Sequence, residues 1–169
     1  MSEKSESKLY EMAVRGSDFR DEYEFELYGE EVTAIIKPLV DNEFLPIAAF
    51  LKKHLDLGEE AEQEEVVSEA VDKVEEAAEE QENGVDVSKL DEEVVATLQQ
   101  AAKYGLHGSY DDDGNEVEFD DERKEFIVSE LRGGYSVELG AKVLDISGDV
   151  RDAERFRGAR GSVADSRDS

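Results

Sequence analysis

The sequence contains no cysteine and no tryptophan, and only two prolines occur among its 169 residues. Without cysteine, the chain can form neither a disulfide framework nor a thiolate metal site. Basic side chains are also scarce, because 19 lysines and arginines stand against 46 aspartates and glutamates, leaving a formal net charge of −27. Phosphate groups are bound by clustered lysine and arginine, so we expect neither a nucleic acid nor a membrane surface as a partner.

Apolar side chains are few as well, at 38% of the residues against an ordinary share of about 45–50%. No stretch approaches the roughly 20 apolar residues that span a bilayer, and the first residues lack the apolar run of a signal peptide. We therefore expect a soluble, cytoplasmic protein. The length fits a single domain of about 100–200 residues.

The excess of acid has two explanations. A salt-loaded cytoplasm favours acidic surfaces, and a partly disordered acidic chain from an ordinary cell would have the same composition. The acidic residues extend over nearly the whole chain instead of forming one tail, which favours a halophilic protein. Because salt screens like-charge repulsion, folding is expected to depend on salt.

The stretch from Tyr23 to Leu57 is the one most able to nucleate a core. Apolar and acidic residues alternate over YEFEL, which predicts a strand, and residues 31–37 predict its partner after a type II′ turn at Gly29-Glu30. Helical spacing then predicts a helix from Glu43 to Leu57 that covers the hairpin, with Pro46 tolerated only in the first turn.

An acidic segment follows at residues 59–82, with twelve acidic residues and one lysine. Its valines and alanines form a thin apolar stripe. Three interpretations stay open: a solvated linker helix, a coiled-coil or docking helix, and disorder.

Three further helices are predicted: one at 88–105, where Ser88 would cap the helix, one at 121–131, and one at 136–146. The helix at 121–131 would face the core with Phe126, Ile127 and Leu131. Residues 108–121 are predicted to form a loop. The fold class is therefore α+β and mostly α, a short N-terminal β-hairpin packed against about four to six helices. Residues 1–22 are expected to form a flexible arm, 23–148 the single domain, and 149–169 a short helix and mobile tail.

The loop at 109–120 superficially matches a calcium-binding EF-hand, whose ligands would be Asp111, Asp113, Asn115 and Asp120. It has serine at the first position, glutamate where an apolar residue is needed, and aspartate in place of the final glutamate. We therefore expect no specific metal site, but an acidic turn that either attracts cations loosely or simply faces solvent.

No catalytic or cofactor-binding constellation can be singled out, so the sequence predicts no enzyme and no cofactor. His54 and His107 have no histidine or cysteine companion at metal spacing, and acidic neighbours are everywhere. For a protein partner, the candidate contacts are Phe44 and Leu51 on the first helix. In the tail they are Arg155, Phe156 and Arg157, which would dock on an acidic surface, although a solvated helix end is the alternative.

The order of elements adds a comparison. A charged start, the hairpin sequence YEFELYGEEVTA, a Pro-Leu step and a helical remainder with a charged tail resemble the tail assembly chaperones of tailed viruses. The likeness covers residues 23–57 and more loosely 88–160, and the acidity would place the chain in a virus or provirus of halophilic archaea. It implies a non-enzymatic assembly factor that binds a tape-measure or other tail protein. No residue is carried over as a binding position.

Two other functions stay open. One is a structural virion component, a connector or adaptor subunit located in the virion, and the other is a metal-dependent regulatory module based on the acidic loop. Association into a homo-oligomer is compatible with each.

Overall fold

A computed structural model describes residues 8–9, 19–55, 57–58, 60–79 and 84–151. Four strands and five α-helices lie in this part of the chain, with a short 3₁₀ helix at Val87–Lys89. The elements are β1 (Asp21–Leu27), β2 (Glu30–Ile36), α1 (Asp41–His54), α2 (Gln63–Ala78), α3 (Glu92–Gly105), β3 (Leu106–Tyr110), β4 (Glu116–Glu118), α4 (Asp121–Glu130) and α5 (Tyr135–Arg151). The predicted fold class, α+β and mostly α, is confirmed.

The sheet is larger than the predicted hairpin. All four strands are antiparallel in the order β1-β2-β3-β4, so β2 pairs with β3 across the whole α1–α3 segment. Opposite Ile35 lies Gly108, where an added Cβ would come within 2.1 Å of the Val117 carbonyl oxygen. This close approach of two backbones requires glycine.

The prediction of a loop over residues 108–121 is wrong for most of this range, because β3 and β4 form a hairpin over residues 106–118. Only the turn at Asp113-Gly114 was recognised, and Gly114 does adopt a positive φ of 84°. The strands are short, with five and three residues, and β4 reads Glu-Val-Glu. Three residues are too few to show a periodic pattern.

The turn between β1 and β2 also differs from the prediction. Its two residues are Tyr28 and Gly29, with φ of 52° and 84°, so the turn is of type I′ and not type II′. Tyr28 is 82% exposed, and its side chain does not compensate for the left-handed backbone by burial.

Helix α1 buries one apolar stripe against the other helices. Phe44 and Leu51 are 1% and 0% exposed, so the expectation that they contact a partner is wrong: both are core residues. The helix lies against α3, whereas α5 lies against β1. Pro46 is the sixth residue of α1, in the second turn, and has no N–H to donate to the carbonyl of Asn42.

The acidic segment contains a docked helix. In α2 the side chains of Val66, Val67, Ala70, Val74 and Ala77 are buried, and the helix packs on α5. The interpretations as a solvated linker or as disorder are therefore wrong for residues 63–78. Small side chains limit the burial per turn, but they allow a close helix–helix contact.

The later helices keep their predicted order with shifted ends. Asp91, not Ser88, caps α3, and its carboxylate accepts a hydrogen bond from the Glu93 N–H. On α4, Phe126 is 66% exposed and Val128 is buried, whereas Ile127 and Leu131 are partly buried against the core as predicted. Helix α5 continues through Gly148 to Arg151, so the predicted boundary at residue 149 is wrong.

Most of the predicted arm at 1–22 and nearly all of the predicted tail at 149–169 lie outside the described residues. The expectations of a flexible arm and a mobile tail therefore stay predictions. Strand β1 already begins at Asp21. Within the described part of the chain, no helix combines the length and apolar character needed to cross a membrane.

Candidate functional site

An apolar groove runs between α1 and α3. The two helices are antiparallel, because Glu43 near the start of α1 and Tyr104 near the end of α3 line the same cavity of about 330 Å³. The groove is lined by Asn42, Glu43, Pro46, Ile47, Phe50, Glu93, Ala96, Thr97, Gln100 and Tyr104. From Glu93 to Tyr104 on α3 the helical rise gives the groove a length of roughly 16 Å.

Two aromatic side chains stay partly in water along this groove. Phe50 is 38% exposed and Tyr104 is 36% exposed, while Ile47 is buried and forms part of the floor. Exposed aromatic rings that flank a concave surface are typical of places where another molecule binds. On a chain of net charge −27, they mark this groove as different from the solvated surface.

One end of the groove is held by a histidine. His54 stacks on Phe50 with ring centroids 4.2 Å apart, and its Nε2 lies 3.4 Å from an oxygen of Glu93. Among the described residues, His54, Asp91 and Glu93 are a group whose possible ligand atoms lie within 4.8 Å of one another. The Asp91 carboxylate caps α3. The contact between His54 and Glu93 joins the end of α1 to the start of α3.

The other end of the groove opens onto a second cavity of about 420 Å³, which we call the lysine pocket. It is lined by Lys37, Glu43, Gln100, Lys103, Tyr104, Asp121, Lys124 and Glu125. Glu43, Gln100 and Tyr104 belong to both cavities. The groove and the lysine pocket therefore adjoin each other at these three residues.

The three lysines come from separate elements: Lys37 follows β2, Lys103 lies in the last turn of α3, and Lys124 lies on α4. Burial lowers the pKa of Lys37, and the positive charge of Lys124 lowers it further; Glu43 opposes this effect and Arg20 adds to it. Burial and Arg20 likewise lower the pKa of the neighbouring His107, against Glu118 and Glu116. Three lysines and three carboxylates, those of Glu43, Asp121 and Glu125, thus share this cavity.

The carboxylates of the lysine pocket neutralise these lysines poorly. Lys103 Nζ lies 4.0 Å from Glu125, and Lys124 Nζ lies 3.9 Å from Asp121, both at the outer limit of an ion pair. The side chains of Glu125 and Asp121 are 71% and 106% exposed, and such pairs contribute little. Within the described residues, no carboxylate oxygen lies within 4.0 Å of Lys37 Nζ.

The calcium candidates take other positions. Asp111 accepts hydrogen bonds from the N–H groups of Asp113 and Asn115, which closes the β3–β4 turn. Asp120 instead caps α4 through the Arg123 N–H. A strand hairpin followed by a helix cap is not the helix-loop-helix of an EF-hand, and these side chains are not brought together as a group of ligands.

Sequence reasoning missed the residues that form the groove and the lysine pocket. Phe44 and Leu51 were chosen on the apolar stripe, but that stripe faces the core; Phe50 lies off it. The first helix has more apolar residues than its core-facing stripe needs, and this excess was the signal in the sequence that could have indicated the groove. The predicted docking residues Arg155, Phe156 and Arg157 lie outside the described part of the chain.

Elsewhere, Tyr23 donates a hydrogen bond from its hydroxyl to Glu138 and so joins β1 to α5. Burial, together with this bond, raises the pKa of Tyr23 far above its ordinary value. Phe25 lies nearby against Tyr135, with ring centroids 5.0 Å apart and the ring planes tilted by 42°. This cluster attaches the sheet to α5.

A search of protein-family models found no match to this chain, and neither the curated proteins nor the solved structures gave a significant match.

Proposed function

We propose that this chain is a non-enzymatic assembly factor that binds a segment of a protein partner in the groove between α1 and α3. The observation that carries this proposal is the pair of exposed aromatic side chains, Phe50 and Tyr104, on either side of an apolar cavity. The resemblance to tail assembly chaperones supplies the partner class, a tail protein such as the tape-measure protein.

Burial of apolar surface in the groove favours binding of the partner segment. An apolar side chain entering the groove removes Phe50, Tyr104 and Pro46 from water, and burial of apolar surface is worth about 25 cal/mol per Å². The surrounding acidic surface disfavours nonspecific contacts with other acidic proteins. Salt screens that repulsion but does not weaken apolar contacts, so binding in a salt-rich cytoplasm depends mainly on the groove.

A groove roughly three helical turns long fits either a short helix or an extended segment. An amphipathic helix that lays its apolar face into a groove between two helices is a recurring mode of peptide recognition. The pair of Phe50 and His54 on one side, and Tyr104 at the opposite end, would contact successive side chains of such a segment.

Site-specific photocrosslinking tests this proposal. A benzoylphenylalanine is placed at Phe50 in one variant and at Phe126 in a control variant, because Phe126 is also an exposed aromatic but lies on α4, outside the groove. Both variants are expressed in the native host at high salt. We expect crosslinks from position 50 to one segment of one partner, and none from position 126.

Equal crosslinking from both positions, or none above background from position 50, would contradict the groove as the binding surface. The same experiment on purified particles separates two roles. An assembly factor is absent from the mature particle, whereas a fixed copy number there would show a structural virion component instead.

A further inference from the structure

We infer that the lysine pocket binds a carboxylate of the partner segment whose apolar side chain occupies the adjoining groove. This inference rests on the proposed function and specifies the chemistry of the ligand, an apolar residue that is followed directly by a carboxylate. A free peptide C-terminus ending in an apolar residue has this arrangement.

The first argument is the distribution of positive charge. The whole chain has ten lysines against 46 acidic residues, and three of these lysines meet at one cavity of about 420 Å³. Lys37 follows β2, and the other two lie on α3 and α4, so only the tertiary fold brings them together. Repulsion between the three lysines opposes this arrangement, and the carboxylates that line the same cavity, Glu43, Asp121 and Glu125, are the groups of the protein that can offset it.

The second argument is that the protein itself supplies little compensation. The ion pairs of Lys103 and Lys124 are 3.9–4.0 Å long and involve exposed carboxylates. Lys124 itself is only 13% exposed, so its charge is held partly away from water. Glu43, the remaining acidic residue of the lysine pocket, accepts a hydrogen bond from the Val40 N–H at 3.3 Å and thereby caps α1.

The third argument is that the two cavities adjoin each other. Gln100 and Tyr104 line both, so a ligand that passes them places one end among apolar side chains and the other among lysines. Their amide and hydroxyl groups can donate hydrogen bonds at this junction. A charged group alone would use only the lysine pocket, and an apolar group alone would use only the groove.

The test is a titration of the full-length, nitrogen-15-labelled protein, followed by amide chemical shifts at fixed salt. Three probes separate the contributions: N-acetylphenylalanine, which carries both groups, N-acetylphenylalaninamide, which lacks the carboxylate, and inorganic phosphate, which lacks the ring. We expect the amide probe to shift groove residues such as Ala96, and the acid probe to shift residues of the lysine pocket as well. Because hydrogen bonds to charged groups are the stronger kind, the acid should bind on the order of tenfold more tightly than the amide.

Variants assign this gain to the lysine pocket. Lys124→Gln and Lys37→Gln should each remove most of the tenfold difference while leaving binding of the amide probe unchanged. Lys73→Gln is the matched control, because Lys73 lies on α2, lines neither cavity, and its Nζ lies 3.9 Å from Glu69 on the same helix. The amide spectrum of each variant shows whether it has folded. If Lys124→Gln does not fold, Lys37→Gln alone is sufficient to test the carboxylate site.

The outcomes distinguish the two proposals. Equal affinities of acid and amide, with shifts in the groove, would overturn the carboxylate site and leave the groove in place. Phosphate binding as tight as that of the acid would show a general anion site and overturn the peptide carboxylate. The absence of groove shifts with either aromatic probe, up to its solubility limit, would count against the proposed function itself.

Discussion

Two glycines on α5 should respond in opposite directions to the same substitution. An added Cβ at Gly140 would come within 1.9 Å of the carbonyl oxygen of Leu98 on α3, a contact that no real Cβ makes. At Gly148 the nearest atom is Val67 Cγ1 at 3.9 Å, an ordinary van der Waals contact. Gly140→Ala therefore forces two packed helices apart, whereas Gly148→Ala fits.

The magnitudes follow from two terms. Alanine is favoured over glycine inside a helix by about 0.8–1 kcal/mol, and this applies at both positions. Overpacking costs about 1–3 kcal/mol, and the upper part of this range applies at Gly140 because the atom met is a backbone carbonyl oxygen, which leaves a net loss of about 1–2 kcal/mol there. At Gly148 the propensity gain stands alone, so the variant should be stabilised by up to about 1 kcal/mol.

Urea unfolding followed by circular dichroism at constant potassium chloride measures both free energies of unfolding. For a chain of this size, 1 kcal/mol corresponds to roughly 2–4 °C in the melting temperature, which gives a second reading. A Gly140→Ala variant as stable as the wild type would refute the close contact of α3 and α5. Loss of stability in Gly148→Ala would refute a continuous helix through residue 148.

Three other substitutions test separate features. Tyr28→Asn creates an Asn-Gly type I′ turn and should raise the free energy of unfolding by up to about 1 kcal/mol; an unchanged value in urea unfolding would contradict the left-handed backbone at Tyr28. Leu51→Ala should lower the free energy of unfolding by about 2–5 kcal/mol in the same assay, because Leu51 is 0% exposed. Leu45 is 42% exposed, so Leu45→Ala should lower it much less. Similar losses of stability in the two variants would contradict the assignment of the buried face of α1. In the folded state the pKa of His107 is lowered below 6.5, so the unfolded chain binds a proton at this histidine more tightly than the folded chain does. The contribution of His107 to the free energy of unfolding is therefore present above pH 6.5 and is lost as the pH falls below that value. His107→Gln should therefore reduce the pH dependence of unfolding in that range, and identical pH profiles would exclude this linkage.

The sequence was sufficient where a periodic pattern was long enough. Alternation in the stretch that begins at Tyr23 predicted β1, and helical spacing of Phe44 and Leu51 predicted α1. The same spacing could not show which apolar face lies in the core and which lines a groove. For α2, high acidity suggested a solvated helix, but the stripe around Ala70 buries well because small side chains let α5 approach closely.

The candidate site depends on tertiary structure in a way that no local pattern reveals. Lys37, Lys103 and Lys124 are far apart in the chain, and each is unremarkable among its neighbours. Only the pairing of β2 with β3 and the packing of α3 and α4 bring them to one cavity. Sequence reasoning could identify a shortage of lysines, but it could not show that the remaining ones converge.

The order of strands has a consequence for how the chain folds during synthesis. Ile36 pairs with Leu106, so 70 residues separate the two partners, and closing this loop costs conformational entropy before the ladder repays it. Until residue 110 has left the ribosome, β2 has one unpaired edge that carries Ala34 and Ile35, both buried in the finished sheet. Non-native strand pairing during that interval would occur at this edge.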